Sequence, residues 1–145
     1  MKIIFLDFDG VLLPLPANGN FERELEPNEE AVKNLNLLYQ LTGARVVVTS
    51  SWRNGRTERE LGTLLAIWGF NGPVYGKTSD NSGEEDRKEQ INRWLHDTPA
   101  VVESFVILDD DRTDLESLAN YLVSPKPDVG LQYHDVVEAL RILTL

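Results

Sequence analysis

The chain has 145 residues, 41% of them hydrophobic, which is one domain's worth with a core that needs no disulfide to hold it. A formal net charge of −10 argues against an extensive nucleic-acid surface or an anionic-membrane surface, since both need a basic patch. With no cysteine and only His96 and His134, thiolate and imidazole-rich metal centres are excluded, so any metal is oxygen-ligated, which points to magnesium.

Lys2 to Phe8 is an apolar, β-rich run, read as a strand buried on both faces of a parallel sheet. It breaks into Asp7-Phe-Asp9-Gly10, so it is neither a membrane span nor a signal peptide, and a soluble, cytoplasmic protein is expected. Side chains two apart on a strand share a side, so Asp7 and Asp9 converge if the extended backbone persists, and Gly10 then permits a sharp turn. Two like charges that close need a cation. Leu12 to Asn28, with Pro14, Pro16, Gly19 and Pro27, reads as a loop. A helix opens at Glu26-Pro27-Asn28-Glu29 with Ala31, Leu35, Leu38 and Leu41 on one face, and Gly43 ends it.

Ala44 to Thr49 is a second buried strand, stopping at Ser50-Ser51-Trp52-Arg53. Thr57 to Trp68 is helical, Val74-Tyr75 is a candidate edge strand, and Lys77 to Glu85 reads as an exposed polar loop. Arg87 to His96 is a helix turning Ile91, Trp94 and Leu95 inward. Ser104 to Leu108 is a third apolar run, and it too breaks into acids, Asp109-Asp110-Asp111. A short helix at Leu115 to Asn120, a strand at Tyr121 to Val123 and a helix from His134 to Leu143 follow. Strands alternating with helices predict an α/β three-layer sandwich with a mostly parallel central sheet.

In such sheets the functional crevice lies beyond the carboxyl ends of the strands, and here the small polar and acidic residues collect there. The residue types suit phosphoryl transfer. A carboxylate can attack phosphorus and split one displacement into two, and a second acid can protonate the leaving oxygen. Magnesium held by carboxylates from separate strands brings an anionic nucleophile to an anionic substrate, and hydroxyl and cationic donors surround the transferring group.

These motifs resemble those of the haloacid dehalogenase (HAD) superfamily, which match in order along nearly the whole chain. The resemblance makes Asp7 the nucleophile and a magnesium ligand, and Asp9 the acid/base with its backbone carbonyl on the metal. It takes a Ser or Thr at a strand end as the second motif, with Ser50 favoured, Thr49 the alternative and Ser51 beside them. The third motif is a cation, Arg87 or Lys88, with Arg87 favoured because Arg-x-x-x-Ile before Trp-Leu is similar to a small HAD group associated with RNA-repair proteins. Asp109 and Asp110, with Asp114 at the motif's spacing, form the fourth; Asp110 would complete the metal shell and Asp109 could share the role. Neither interval between motifs has room for a large cap domain.

Together these imply a magnesium-dependent phosphomonoester hydrolase acting through an aspartyl-phosphate. Two alternatives stand beside it: a catalytically quiet HAD scaffold binding a nucleotide or protein partner, and a receiver-type phospho-acceptor module. The receiver reading is weakened because mid-chain offers Ser50-Ser51 and no strand-end Asp. Net acidity disfavours long nucleic acids, whereas the RNA-repair resemblance and the Arg53, Arg56 and Arg59 cluster favour a nucleotide or polynucleotide end. Arg53 has two readings, a grip on a second substrate phosphate or a structural ion pair. Trp52 and Trp68 read as packing residues, and the two histidines as surface residues.

Overall fold

A computed structural model describes residues 1–16, 25–80 and 85–145. Five strands, β1 (Lys2–Leu6), β2 (Arg45–Val48), β3 (Val74–Lys77), β4 (Ser104–Leu108) and β5 (Leu122–Val123), form one sheet in the order β3-β2-β1-β4-β5. Each pairing is parallel. The helices between them are α1 (Glu29–Thr42), α2 (Glu58–Ile67), α3 (Arg87–Asp97) and α4 (Tyr133–Thr144).

Local chemistry sets the helix ends. Asn28 Oδ1 accepts from the Ala31 amide at 3.0 Å to start α1, and Gly43, at φ 66, ends it in the left-handed conformation that glycine adopts without strain. Thr57 and Glu60 form a reciprocal capping box at α2, and Asp86 accepts from the Glu89 amide at 2.8 Å to start α3.

Alternation along the strands divides the core into two layers. Ile3, Phe5, Val47 and Ile107 face α3 through Ile91 and Trp94. Ile4, Leu6, Val46, Val48 and Leu108 face α1, α2 and α4 through Leu35, Leu38, Leu61, Leu65 and Ala139. The strand order explains this division. Right-handed crossovers leading outward from β1 through β2 to β3 put α1 and α2 on one face, and the return to β4 puts α3 on the other. The order in which strands are added reverses between β1 and β4, which is the switch point of the sheet.

The stretch expected to be an exposed loop from Lys77 onward needs correction. Lys77 ends β3, and Thr78 is fully buried, its amide donating to the Val48 carbonyl at 3.0 Å as the ladder continues. Gly83 of that stretch, and Gly19 of the loop after β1, lie outside the described residues.

Candidate active site

Parallel register aligns Leu6 with Val48 on one side and with Leu108 on the other. The next residues, Asp7, Thr49 and Asp109, therefore leave the sheet at one level, on the face that α3 covers. Backbone bonds carry the alignment past the strand ends: Asp7 N donates to Leu108 O at 3.0 Å, and Thr49 N to Leu6 O at 2.9 Å. Because α3 lies over this face, its first residue reaches the site, and Arg87 Nη1 donates to Asp109 Oδ2 at 2.7 Å.

The backbone turns immediately after Asp7. The amides of Val11, Leu12 and Leu13 all point at the Phe8 carbonyl, and Gly10 takes φ 79. Glycine is required there twice over, since a Cβ on Gly10 would stand 2.4 Å from Asp110 Cγ. The bare backbone lets Asp110 lean toward Asp7. As a result Asp7, Asp109 and Asp110 bring one oxygen each to within 4.8 Å of one another.

Three acids so close are electrostatically opposed. Burial first, then the neighbouring Asp109 charge, push the Asp7 carboxyl up to about 8 from its ordinary 3.8, against the opposing pull of Arg87. Burial likewise raises Asp109 to about 6, although Arg87 and the Asp111 amide draw it down. Asp110 is raised too, chiefly by burial, while a hydrogen bond with the Asp7 side chain acts in the opposite sense. The donor set is all oxygen, which suits a hard divalent cation such as magnesium.

Asp9 is not a member of the three-acid cluster; the turn that begins at Phe8 follows Asp7, and the Asp9 carboxylate accepts from Trp52 Nε1 at 3.0 Å. The hydroxyls divide unevenly. Ser50, favoured as the second motif, is buried and its Oγ accepts from the Trp52 amide at 3.2 Å. Thr49 sits in register beside Asp7, and its buried Oγ1 has no hydrogen-bond partner among the described residues.

Arg53 is 3% exposed, and its guanidinium donates to the carbonyls of Thr49, Ser50, Thr78 and Ser79 and to Gln90 Oε1. The side chain ties the ends of β2 and β3 to α3 through carbonyls and not through an ion pair, and it also lines the crevice beside Arg87. Burial, and then the like charge of Arg87, lower its pKa. A crevice of about 230 Å³ opens beside these groups, lined by Thr49, Ser51, Arg87 and Asp114 among others, with Lys88 outside the lining. Asp114 is exposed at φ 67 and is not part of the three-acid cluster.

Sequence reasoning missed two participants. Trp52 packs against Phe8 and Trp68 as its sequence reading expects, and its N–H also reaches Asp9, a contact that reading does not include. Gln90, the acceptor for Arg53, sits one helical turn after Arg87 and carries no local signal of its role.

A parallel sheet with carboxylates, a hydroxyl and an arginine at its switch point is a HAD-like α/β domain, with no large cap among the described residues. The chain belongs to the family described as the HAD domain in Swiss Army Knife RNA repair proteins, whose model matches residues 3–136. No curated protein matches it. Among the described residues no helix is long and apolar enough to cross a membrane.

Proposed function

We propose that the chain is a magnesium-dependent phosphomonoester hydrolase that works through an aspartyl-phosphate on Asp7, with a nucleotide or polynucleotide end as substrate and the cytoplasm as its location. The observation that carries this reading is the approach of Asp7, Asp109 and Asp110 to within 4.8 Å beside Arg87. Ionised together without a cation they repel, and that repulsion adds to burial, the larger cause, in raising the Asp7 pKa. Asp7 and Asp110, with the Asp9 backbone carbonyl that the family resemblance adds, would hold a divalent ion there, whose charge would offset that repulsion. Bound there, it supplies the positive charge that keeps Asp7 ionised and reconciles the nucleophile with an anionic phosphate.

The chain's own groups do the rest. An Asp7 oxygen forms a bond to phosphorus as the ester P–O bond breaks, and the leaving oxygen takes a proton from Asp9. Water then attacks the phospho-Asp7, giving its proton back to Asp9, and inorganic phosphate departs with Asp7 restored. Arg87 and the unpartnered Thr49 hydroxyl are the donors best disposed toward the phosphoryl oxygens, with Ser51 on the rim. Asp109 has both oxygens engaged, by Arg87 and by the Asp111 amide at 2.9 Å, so it supports Arg87 before it supports the ion. Lys88 and Ser50 take the lesser part, and Arg53 acts on the substrate only by fixing the crevice wall.

The test is phosphate release, with magnesium, from an aryl phosphate, from nucleotides and from 3′- or 5′-phosphorylated oligonucleotides. Asp7→Asn is expected to lower turnover at least about 10³-fold with an unchanged circular dichroism spectrum. Undiminished turnover in that variant removes the proposed nucleophile. Tight binding across the panel with no release favours the quiet scaffold instead.

A further inference from the structure

Trp52 is the middle residue of the 3₁₀ turn Ser51–Arg53, and its half-buried indole is held by several neighbours. Trp68 meets it edge-on with ring centroids 5.6 Å apart, Phe8 lies 6.3 Å away, and the Arg56 guanidinium stands 5.4 Å from the ring centroid on one face. Its backbone is tied as well: the amide donates to Ser50 Oγ at 3.2 Å, and the carbonyl accepts from Arg56 Nη1 at 2.9 Å. An indole has one donor and no acceptor, so a ring clamped this way aims one N–H in one direction. That direction is Asp9 Oδ1, at 3.0 Å.

Asp9 needs such a guide. It stands after β1, outside the five-stranded ladder and half-buried; a bridge to Leu13 ties its backbone, and the Trp52 N–H is the side-chain contact that orients its carboxyl. We infer that Trp52 is a positioning residue for Asp9: its N–H holds the carboxyl where a leaving oxygen receives its proton, apart from the three acids that gather about the cation. This rests on the hydrolase reading above. Proton transfer contributes only when donor and acceptor are within hydrogen-bond reach, so loss of the guide slows the reaction in proportion to how much the leaving group needs that proton.

Trp52→Phe keeps an aromatic ring between Phe8, Trp68 and Arg56 and deletes only the N–H. The measurement is kcat/KM, which reports the steps up to the phospho-Asp7, for an alkyl phosphate and for 4-nitrophenyl phosphate. The alkyl leaving group requires protonation and the nitrophenolate departs without it. The expected result is a fall of about 10-fold or more in the ratio of alkyl to aryl kcat/KM, the size typical of removing a supporting hydrogen bond. A melting temperature close to wild type is expected alongside it. An equal loss on both substrates, or none on either, overturns the inference and leaves Trp52 a packing residue. Asp7→Asn as active as wild type defeats the hydrolase reading and takes this inference with it, through Asp7 and not through Trp52, so the two failures are told apart.

Discussion

Asp7 is 7% exposed and faces two further acids, so its ionisation is opposed by the fold that holds it. Its carboxyl keeps a proton up to about 8 when folded and gives it up near 3.8 when unfolded. Across that interval the folded state binds more protons than the unfolded one, so stability falls as pH rises. A carboxyl with a raised pKa therefore contributes most at the acid end of the window, the reverse of a salt-bridged aspartate. Two results are expected from thermal melts in chelator. The wild-type chain loses stability between about pH 5 and about pH 8, and Asp7→Asn flattens that slope and melts higher than wild type at the alkaline end. Magnesium is expected to raise the wild-type midpoint more near pH 8 than near pH 5, because protons compete for the same oxygens. A midpoint that climbs with pH in chelator would show that the three acids are not in conflict.

At the scale of elements, the turn after β1 carries the site as much as the strands do. Gly10 combines φ 79 with a Cβ position already occupied by Asp110, so Gly10→Ala meets both a backbone penalty and a collision. It is expected to cost about 1–3 kcal/mol of stability and to weaken magnesium binding, by moving Asp110 away from Asp7. Denaturant unfolding and a magnesium titration of the same variant check the two effects separately. The apolar runs that became β1, β2 and β4 were legible because buried parallel strands are continuous in Val, Ile, Leu and Phe. Asn28, Gly43 and Thr57 marked helix ends because capping is local chemistry. Thr49 could not be told from Ser50, since which of them stands beside Asp7 is decided by register with a strand some forty residues away. The Trp52 bond to Asp9 spans 43 positions, and Arg53 is held largely by backbone carbonyls, which every residue has and no pattern reveals. Lys77 and Thr78 were misread because polarity normally marks a loop, whereas β3 lies at the sheet edge and Thr78 is closed in by the turn that holds Arg53.

For the whole molecule, topology and charge pull on the substrate in different ways. Reversal of strand order between β1 and β4 brings Asp7 and Asp109 together, with Arg87 paired to Asp109 and lining the crevice beside them, so under the proposed function a terminal phosphate would meet Arg87 there. The surface around it belongs to a chain with net charge −10, so a polyanionic substrate approaches against the overall field while its terminal phosphate is attracted locally. Salt separates the two influences, because the screening length shrinks from about 30 Å at 0.01 M to about 8 Å at 0.15 M. Long-range repulsion is then lost while contacts within the crevice are only weakly affected. For a phosphorylated oligonucleotide at fixed magnesium, kcat/KM is therefore expected to hold steady or rise over that range of monovalent salt, and for a mononucleotide to change less. A steep fall with salt for the oligonucleotide would mean that counterion release along a basic track governs binding, and would assign Arg56 and Arg59 to the phosphate backbone of the substrate.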